Sequence, residues 1–265
     1  MATASAQTVT ARWDRLMRLQ TDLAQPLELS FFFNSRTWLE AETVLDVGTG
    51  NAYYLRQLAR YFPAKRYVGI DTDPNHIEVA KREGPTEAGR DVPSLQLLVQ
   101  DAHDVRGAYD VAVARLLVQH LPSVADFLTS MRRAIRPGGL LIVIESSDDQ
   151  RKFVPPVGSM VRFFEAFRAK RRADGCNRDA GRLLAEQASQ FGFEAEAGAL
   201  LVVPSTIPGH KDLFLETHLT VLDVVQGAFQ VDFDYGRLAA DLKRWWADPT
   251  SYTQLGVHIA SYRHI

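Results

Sequence analysis

A single cysteine, Cys176, stands among 265 residues. It excludes an internal disulfide framework and any metal site built from clustered thiolates, and it points to a reducing, cytoplasmic setting. No apolar run approaches the roughly 20 residues needed to span a bilayer. No charge of one sign dominates either: 30 Lys and Arg against 32 Asp and Glu leave a formal net charge of −2. Bulk charge therefore calls for neither nucleic acid nor an anionic membrane as partner. Solenoid repeats, low-complexity tracts and a glycine–serine linker are missing too. Arg12, Asp14 and Arg15 precede any apolar block, an order foreign to a secretory signal. What is present is a 46% hydrophobic composition, enough to build the core of one large α/β domain.

Val9, Trp13, Leu16, Leu19 and Leu23 recur in steps of three or four and predict an amphipathic helix over residues 9–24, ended by Pro26. From residue 42 the pattern changes to short apolar runs alternating with helical segments. Val44 to Val47, Tyr67 to Asp71, Leu95 to Val99, Val111 to Ala114 and Leu140 to Ile144 read as strands. Continuous apolar strands separated by helices predict a parallel sheet covered on both faces, a doubly wound α/β arrangement. Residues 147–176 and 208–247 break this rhythm and read as helical insertions. They are expected to form a substrate cap on a single domain spanning 1–265, with 1–40 as an N-terminal helical lid and 42–146 as the core. Ala199 to Val203 and Tyr252 to Tyr262 supply further strands.

The segment Val44-Leu45-Asp46-Val47-Gly48-Thr49-Gly50-Asn51-Ala52 carries the most chemical information. A glycine turn between strand and helix lets backbone approach a ligand closely. The dinucleotide fingerprint needs a third glycine at the position Tyr53 occupies. An acid two residues before the first glycine suits a cationic amino group better than a pyrophosphate. Asp71 closes the second strand 25 residues after Asp46, close to the offset of a ribose-binding carboxylate. Asp101-Ala102 follows the third strand, where an acid and a backbone N–H can meet a nucleobase edge. Any one of these acids is explained equally well as a helix cap or a loop residue; three at consecutive strand ends are not.

These motifs resemble the class I S-adenosylmethionine-dependent methyltransferases over residues 42–146. Val44 to Ala52 is similar to the family's first motif, with Ala52 in place of its third glycine. Gly69 to Pro74 resembles the second, Gln100-Asp101-Ala102 the adenine-binding motif, Tyr109 to Val113 the fourth strand, and Arg136-Pro137-Gly138-Gly139 the turn before the fifth. The resemblance implies a Rossmann-like sheet of seven strands, the last antiparallel, binding S-adenosyl-L-methionine and releasing S-adenosyl-L-homocysteine. The cofactor would rest on Asp46, Gly48, Gly50, Asp71, Thr72, Asp101 and Ala102, with Arg115 at its methionine end. The expected activity is methyl transfer to an O, N or C nucleophile of a small, partly apolar metabolite.

Beyond the cofactor motifs the residues leave alternatives open. His120 is placed to act as a proton acceptor, or to be a structural histidine opening the next helix. Trp38, Tyr53, Tyr54 and Phe31 to Phe33 offer π-faces to a cationic sulfonium or pack in the core, and Trp38 and Tyr53 are also candidates for acceptor contacts. Asp148 and His218 are further candidates for acceptor contacts. His210 and His218 lie eight residues apart with Glu216 between them, and that spacing fits no metal motif. Arg162 to Arg172 read as a solvated face, or as contacts for an anionic group. The acid/amide-Pro-Pro-aromatic signature of amino-methylating nucleic-acid enzymes is missing, since Ala114-Arg115-Leu116-Leu117 stands in its place. Expected partners are therefore a small-molecule acceptor and, at most, a second copy of the chain. The rival readings are a non-methylating enzyme of the same fold, a protein methyltransferase, which an open acidic groove would favour, and a scaffold.

Overall fold

The computed structural model of the protein describes residues 4–82 and 94–265. Its sheet has seven strands: β1 (Thr43–Val47), β2 (Arg66–Asp71), β3 (Leu95–Val99), β4 (Tyr109–Arg115), β5 (Ile135–Val154), β6 (Phe193–Pro204) and β7 (Tyr252–His264). They lie in the order β3-β2-β1-β4-β5-β7-β6. The first five are parallel, and β7 runs antiparallel between β5 and β6. The central strands are buried on both faces because successive side chains enter different cores. Val44 packs into one hydrophobic cluster, while Leu45 and Val47 pack into the other. Along β5, Leu140, Ile142 and Ile144 alternate with Leu141 and Val143 in the same way. Each such fully buried side chain contributes roughly 1.5–3 kcal/mol.

One face of the sheet is covered by α1 (Ala4–Asn34), α2 (Arg36–Glu40), α3 (Tyr53–Tyr61) and α4 (Pro74–Arg82), the other by α5 (Val124–Ala134) and α7 (Ala180–Gln187). A third apolar cluster joins α6 (Gly158–Ala173), α8 (His210–Ala228) and α9 (Tyr235–Ala247) through Met160, Phe163, Phe167, Leu222, Leu238 and Trp245. These three helices pack against one another. Among the described residues no helix is long and apolar enough to cross a membrane.

Two boundaries differ from the sequence expectation. α1 does not stop at Pro26 but continues to Asn34 with the proline inside it. A helix-interior proline loses one backbone hydrogen bond and costs about 3 kcal/mol. Leu23, Ala24, Leu29 and Phe32 on both sides of it are buried, and their burial outweighs that penalty. β5 begins before Pro137 and runs on to Val154, through a stretch expected to be helical. Its extra length pairs with β7, Lys152 opposite Gln254 and Val154 opposite Tyr252. Tertiary pairing here overrides the helical pattern of the segment.

Lys65 secures the entry to β1. Its ammonium, on a buried side chain, donates to the carbonyls of Trp38, Leu39 and Ala41 at 2.6, 3.2 and 2.6 Å, which satisfies the open end of α2. Lys65→Met should lower stability by about 2 kcal/mol through the carbonyls left without a donor. Urea denaturation reads this directly, and an unchanged midpoint would contradict the capping role.

Candidate active site

The chain leaves β1 for β2 and β3, then returns to β4 on β1's other side. At such a switch point the connections diverge and leave a crevice beyond the carboxyl ends of the strands. A cavity of about 490 Å³ lies there, with α1 along one wall and α6 and α8 along another.

The turn after β1 forms the floor. Gly48 and Gly50 hold φ of +71° and +55°, values that favour glycine. The N–H groups of Gly48 and Thr49 both donate to the Ile70 carbonyl at 2.9 Å. A Cβ on Gly50 would stand 2.3 Å from Met17 Sδ, so the turn also needs glycine to let α1 approach. Ala52 adopts φ +55° despite its Cβ, and Leu116 across the crevice adopts +53°. Such conformations cost about 1–2 kcal/mol each, and they collect where a fold holds a ligand site in shape.

Three acids face this floor. Asp46 is buried at the end of β1, and burial pushes its carboxyl up to about 7, against the pull of Thr49 and Arg115 and helped by Asp71. Asp71 accepts from the Gly50 N–H and the Asp73 N–H, both at 2.9 Å. Although burial opposes it, the His76 imidazole and those two N–H groups hold the Asp71 carboxyl below its usual range. Glu28, from α1, is bound to Arg115 at 3.1 Å, and Arg115 also donates to the Gln20 carbonyl and lies 4.5 Å from the Tyr54 ring centroid. The Arg115 and Glu28 side chains are 8% and 1% exposed, a buried pair linking α1 to the end of β4.

The far side of the cavity is apolar and aromatic, with Trp13, Phe164, Phe167, Val221, Val225 and Phe229. Two imidazoles stand in it. Burial and the nearby guanidinium groups of Arg178 and Arg171 lower His120 to about 3. Burial and Arg151 lower His218 to about 3, and its Nδ1 lies 2.6 Å from the Phe214 carbonyl. Both are neutral across the physiological range.

Of the residues singled out by sequence, Asp46, Gly48, Gly50, Tyr54, Asp71, Thr72, Arg115, His120 and His218 line this one cavity. The others do not. Asp101 is half exposed at the end of β3, bonded to the His103 N–H and ring at 2.8 Å, and Ala102 packs beside the second core cluster. Trp38, assigned to acceptor contacts, is instead fully buried between Phe32 and Phe62 at centroid distances of 4.6 and 5.3 Å. Tyr53 donates its hydroxyl to Asp22 at 2.8 Å, outside the cavity. Asp148 lines a smaller neighbouring cavity of about 220 Å³ and is held by arginines. Among the described residues no group of three or more His, Cys, Asp or Glu is arranged to hold a metal.

Residues 45–141 match the family model described as a methyltransferase domain. Over those residues the chain is similar to methyltransferase domains. A ubiquinone biosynthesis O-methyltransferase of Methylobacterium sp. (strain 4-46) is 31% identical over 111 residues, covering 42% of this chain and 43% of that protein. The chain thus spans less than half the length of this curated relative. In fold, it is similar to the Haemonchus contortus phosphoethanolamine N-methyltransferase 2 solved with S-adenosylhomocysteine (TM-score 0.51, 17% identity, 95% of this chain and 52% of the other). It is also similar to the [4+2]-cyclase SpnF (TM-score 0.51, 18% identity, 84% and 74%).

The matched segment contains the glycine turn, Asp46, Asp71 and Arg115, and ends before α6. Sequence reasoning missed Glu28, Gln119, Arg151, Arg178 and Thr217, all in the cavity wall. Glu28 sits 87 residues from its partner Arg115, a distance no local pattern signals. Tyr54 Oη, Gln119 Oε1, Arg151 Nε and Thr217 Oγ1 are buried without a hydrogen-bond partner, which is costly unless a ligand or water supplies one.

Proposed function

We propose that the protein uses S-adenosylmethionine to methylate a small, partly apolar acceptor. One observation carries this reading: a single cavity joins the acid-lined glycine turn to an aromatic chamber beneath the cap. The turn end fits the cofactor. Asp46 and Glu28 suit its amino group, Arg115 its carboxylate, and the lone pairs of Asp71 not taken by Gly50 and Asp73 can accept from ribose hydroxyls. Asp101 and Ala102 would meet the adenine from the rim. When bound, the cofactor supplies a methyl group on a cationic sulfonium, open to in-line displacement.

The chain's own contribution is positioning and exclusion of water. α1 covers the turn with Met17 and Leu16, and α6 and α8 close the opposite side. The neutral His120 imidazole, assigned here as the catalytic group, can accept a hydrogen bond from an acceptor hydroxyl or amine. At about 3 it holds a transferred proton weakly, so it orients the nucleophile more than it stores the proton. The apolar, aromatic chamber supports a small metabolite over a protein side chain. Formation of S-adenosylhomocysteine on incubation with a metabolite extract tests the reading. Tight cofactor binding without any product would favour a non-methylating enzyme of the same fold.

Cofactor affinity should rise with pH. Free Asp46 is protonated below about 7, and a cationic ligand favours its carboxylate, so binding below that pH expels a proton. Calorimetry near pH 6 in two buffers of different ionisation enthalpy should show release approaching one proton, with affinity about tenfold weaker than near pH 8. Asp46→Asn should abolish the release. A pH-independent affinity would contradict the placement of a cation on Asp46.

A further inference from the structure

The two ends of the cavity differ in charge. At the turn end four acids, Glu28, Asp46, Asp71 and Asp73, share the lining with one arginine, Arg115. At the cap end the balance reverses: Arg151, Arg178 and Arg168 converge on Asp148, with nitrogen–oxygen distances of 3.2, 2.8 and 3.8 Å. Arg168 and Arg172 share Asp179 at 2.9 and 3.8 Å. Four guanidinium groups thus divide Asp148 and Asp179; Arg172 among them is largely exposed, the buried Glu145 lies in the field of Arg178, and Asp149 and Glu165 nearby are exposed.

Arg151 and Arg178 both line the main cavity, and their side chains are only 17% and 12% exposed. Arg151 lies 4.2 Å from the Phe164 ring centroid, and its buried Nε has no hydrogen-bond partner. Its Nη1 is 3.4 Å from His218 Nε2, a nitrogen left to accept because Nδ1 faces a carbonyl. A surplus of cations in a mostly buried, apolar chamber is unfavourable in the protein alone. It becomes favourable when an anion enters, because charge-assisted hydrogen bonds are strong in such surroundings.

We propose that the methyl acceptor is an anion: an apolar body carrying an oxyanion that Arg151 and Arg178 hold. Phe164, Phe167 and Phe229 face the apolar part. This assignment rests on the methyltransferase reading above and adds the acceptor's charge to it. The chamber thereby selects against neutral analogues, whose entry adds no charge to the Asp148 that Arg151 shares with two other arginines. A bound anion also opposes the field that the arginines exert on His120 and makes that imidazole more basic.

Calorimetry on protein loaded with S-adenosylhomocysteine tests this, with 2-naphthoate, 2-naphthyl phosphate and neutral 2-naphthamide as probes. At least one anion should bind about tenfold or more tightly than the amide. The tighter of the two anions identifies carboxylate or phosphate as the group read. Arg151→Met should erase that preference while keeping S-adenosylhomocysteine affinity, since Asp148 retains Arg178 and Arg168. The wild-type comparison stands alone if that variant does not fold. Equal binding of amide and anions, binding of none, or an anion preference that survives in folded Arg151→Met would overturn the proposal. Failure of S-adenosylhomocysteine to bind wild type is a different result, which sinks the cofactor reading and this one with it.

Discussion

Asp71→Ala is expected to weaken S-adenosylmethionine binding by about 100-fold or more. Hydrogen bonds to a charged partner are worth roughly 1.5–3 kcal/mol each, and a carboxylate at the end of β2 can accept from both ribose hydroxyls. Losing two of them at the lower bound already approaches 3 kcal/mol, or two decades of affinity. The same carboxylate holds the Gly50 and Asp73 N–H groups, so the variant also loosens the turn on which the cofactor rests. Preorganisation and direct contact are lost together. Asp71→Asn separates them: one amide oxygen still accepts from Gly50, but the charge is gone, so an intermediate affinity is expected. Calorimetric titration reads both variants, and near-ultraviolet circular dichroism checks that each is folded. Wild-type affinity in a folded Asp71→Ala protein would remove Asp71 from the site.

Much of this site was legible in the sequence because its signals are local. A strand, a glycine turn and a helix leave their marks within ten residues, and an acid at a strand end is placed by the strand itself. Asp46, Asp71 and Arg115 therefore line one cavity, and the parallel strands of the core follow from the alternation of apolar runs and helices, whereas the antiparallel last strand was implied only by the family resemblance. What stayed hidden depends on distant pairing. Pro26 reads as a helix end until Leu29 and Phe32 are seen buried beyond it. Residues 148–154 read as part of a helical insertion until β7 appears beside them. Arg151 and Arg178 acquire meaning only when Asp148 is found between them, on the opposite side of the cofactor turn from α1. Trp38 erred the other way: an aromatic just before β1 lies near the site in sequence, but α2 turns it into the core against Phe32.

The Arg115–Glu28 pair offers the largest effect on stability. Arg115→Met leaves the Glu28 carboxylate buried and uncompensated, and Glu28→Met does the same to the guanidinium. Breaking such a pair costs about 3–5 kcal/mol, a fall on the order of 10 °C in melting temperature for a chain of this size. Replacing both residues by methionine removes both desolvated charges at similar volume, so the double variant should recover most of that loss. Cofactor binding should not recover with it, because the variant has no guanidinium to meet the methionine carboxylate and no Glu28 beside the amino group. Thermal unfolding of the four proteins, with calorimetry on the double variant, separates two explanations of the pair. A stable double variant with weak cofactor affinity means that the buried charges are kept for the ligand. A double variant as unstable as the singles would mean that the pair's main task is to fix α1 across the crevice.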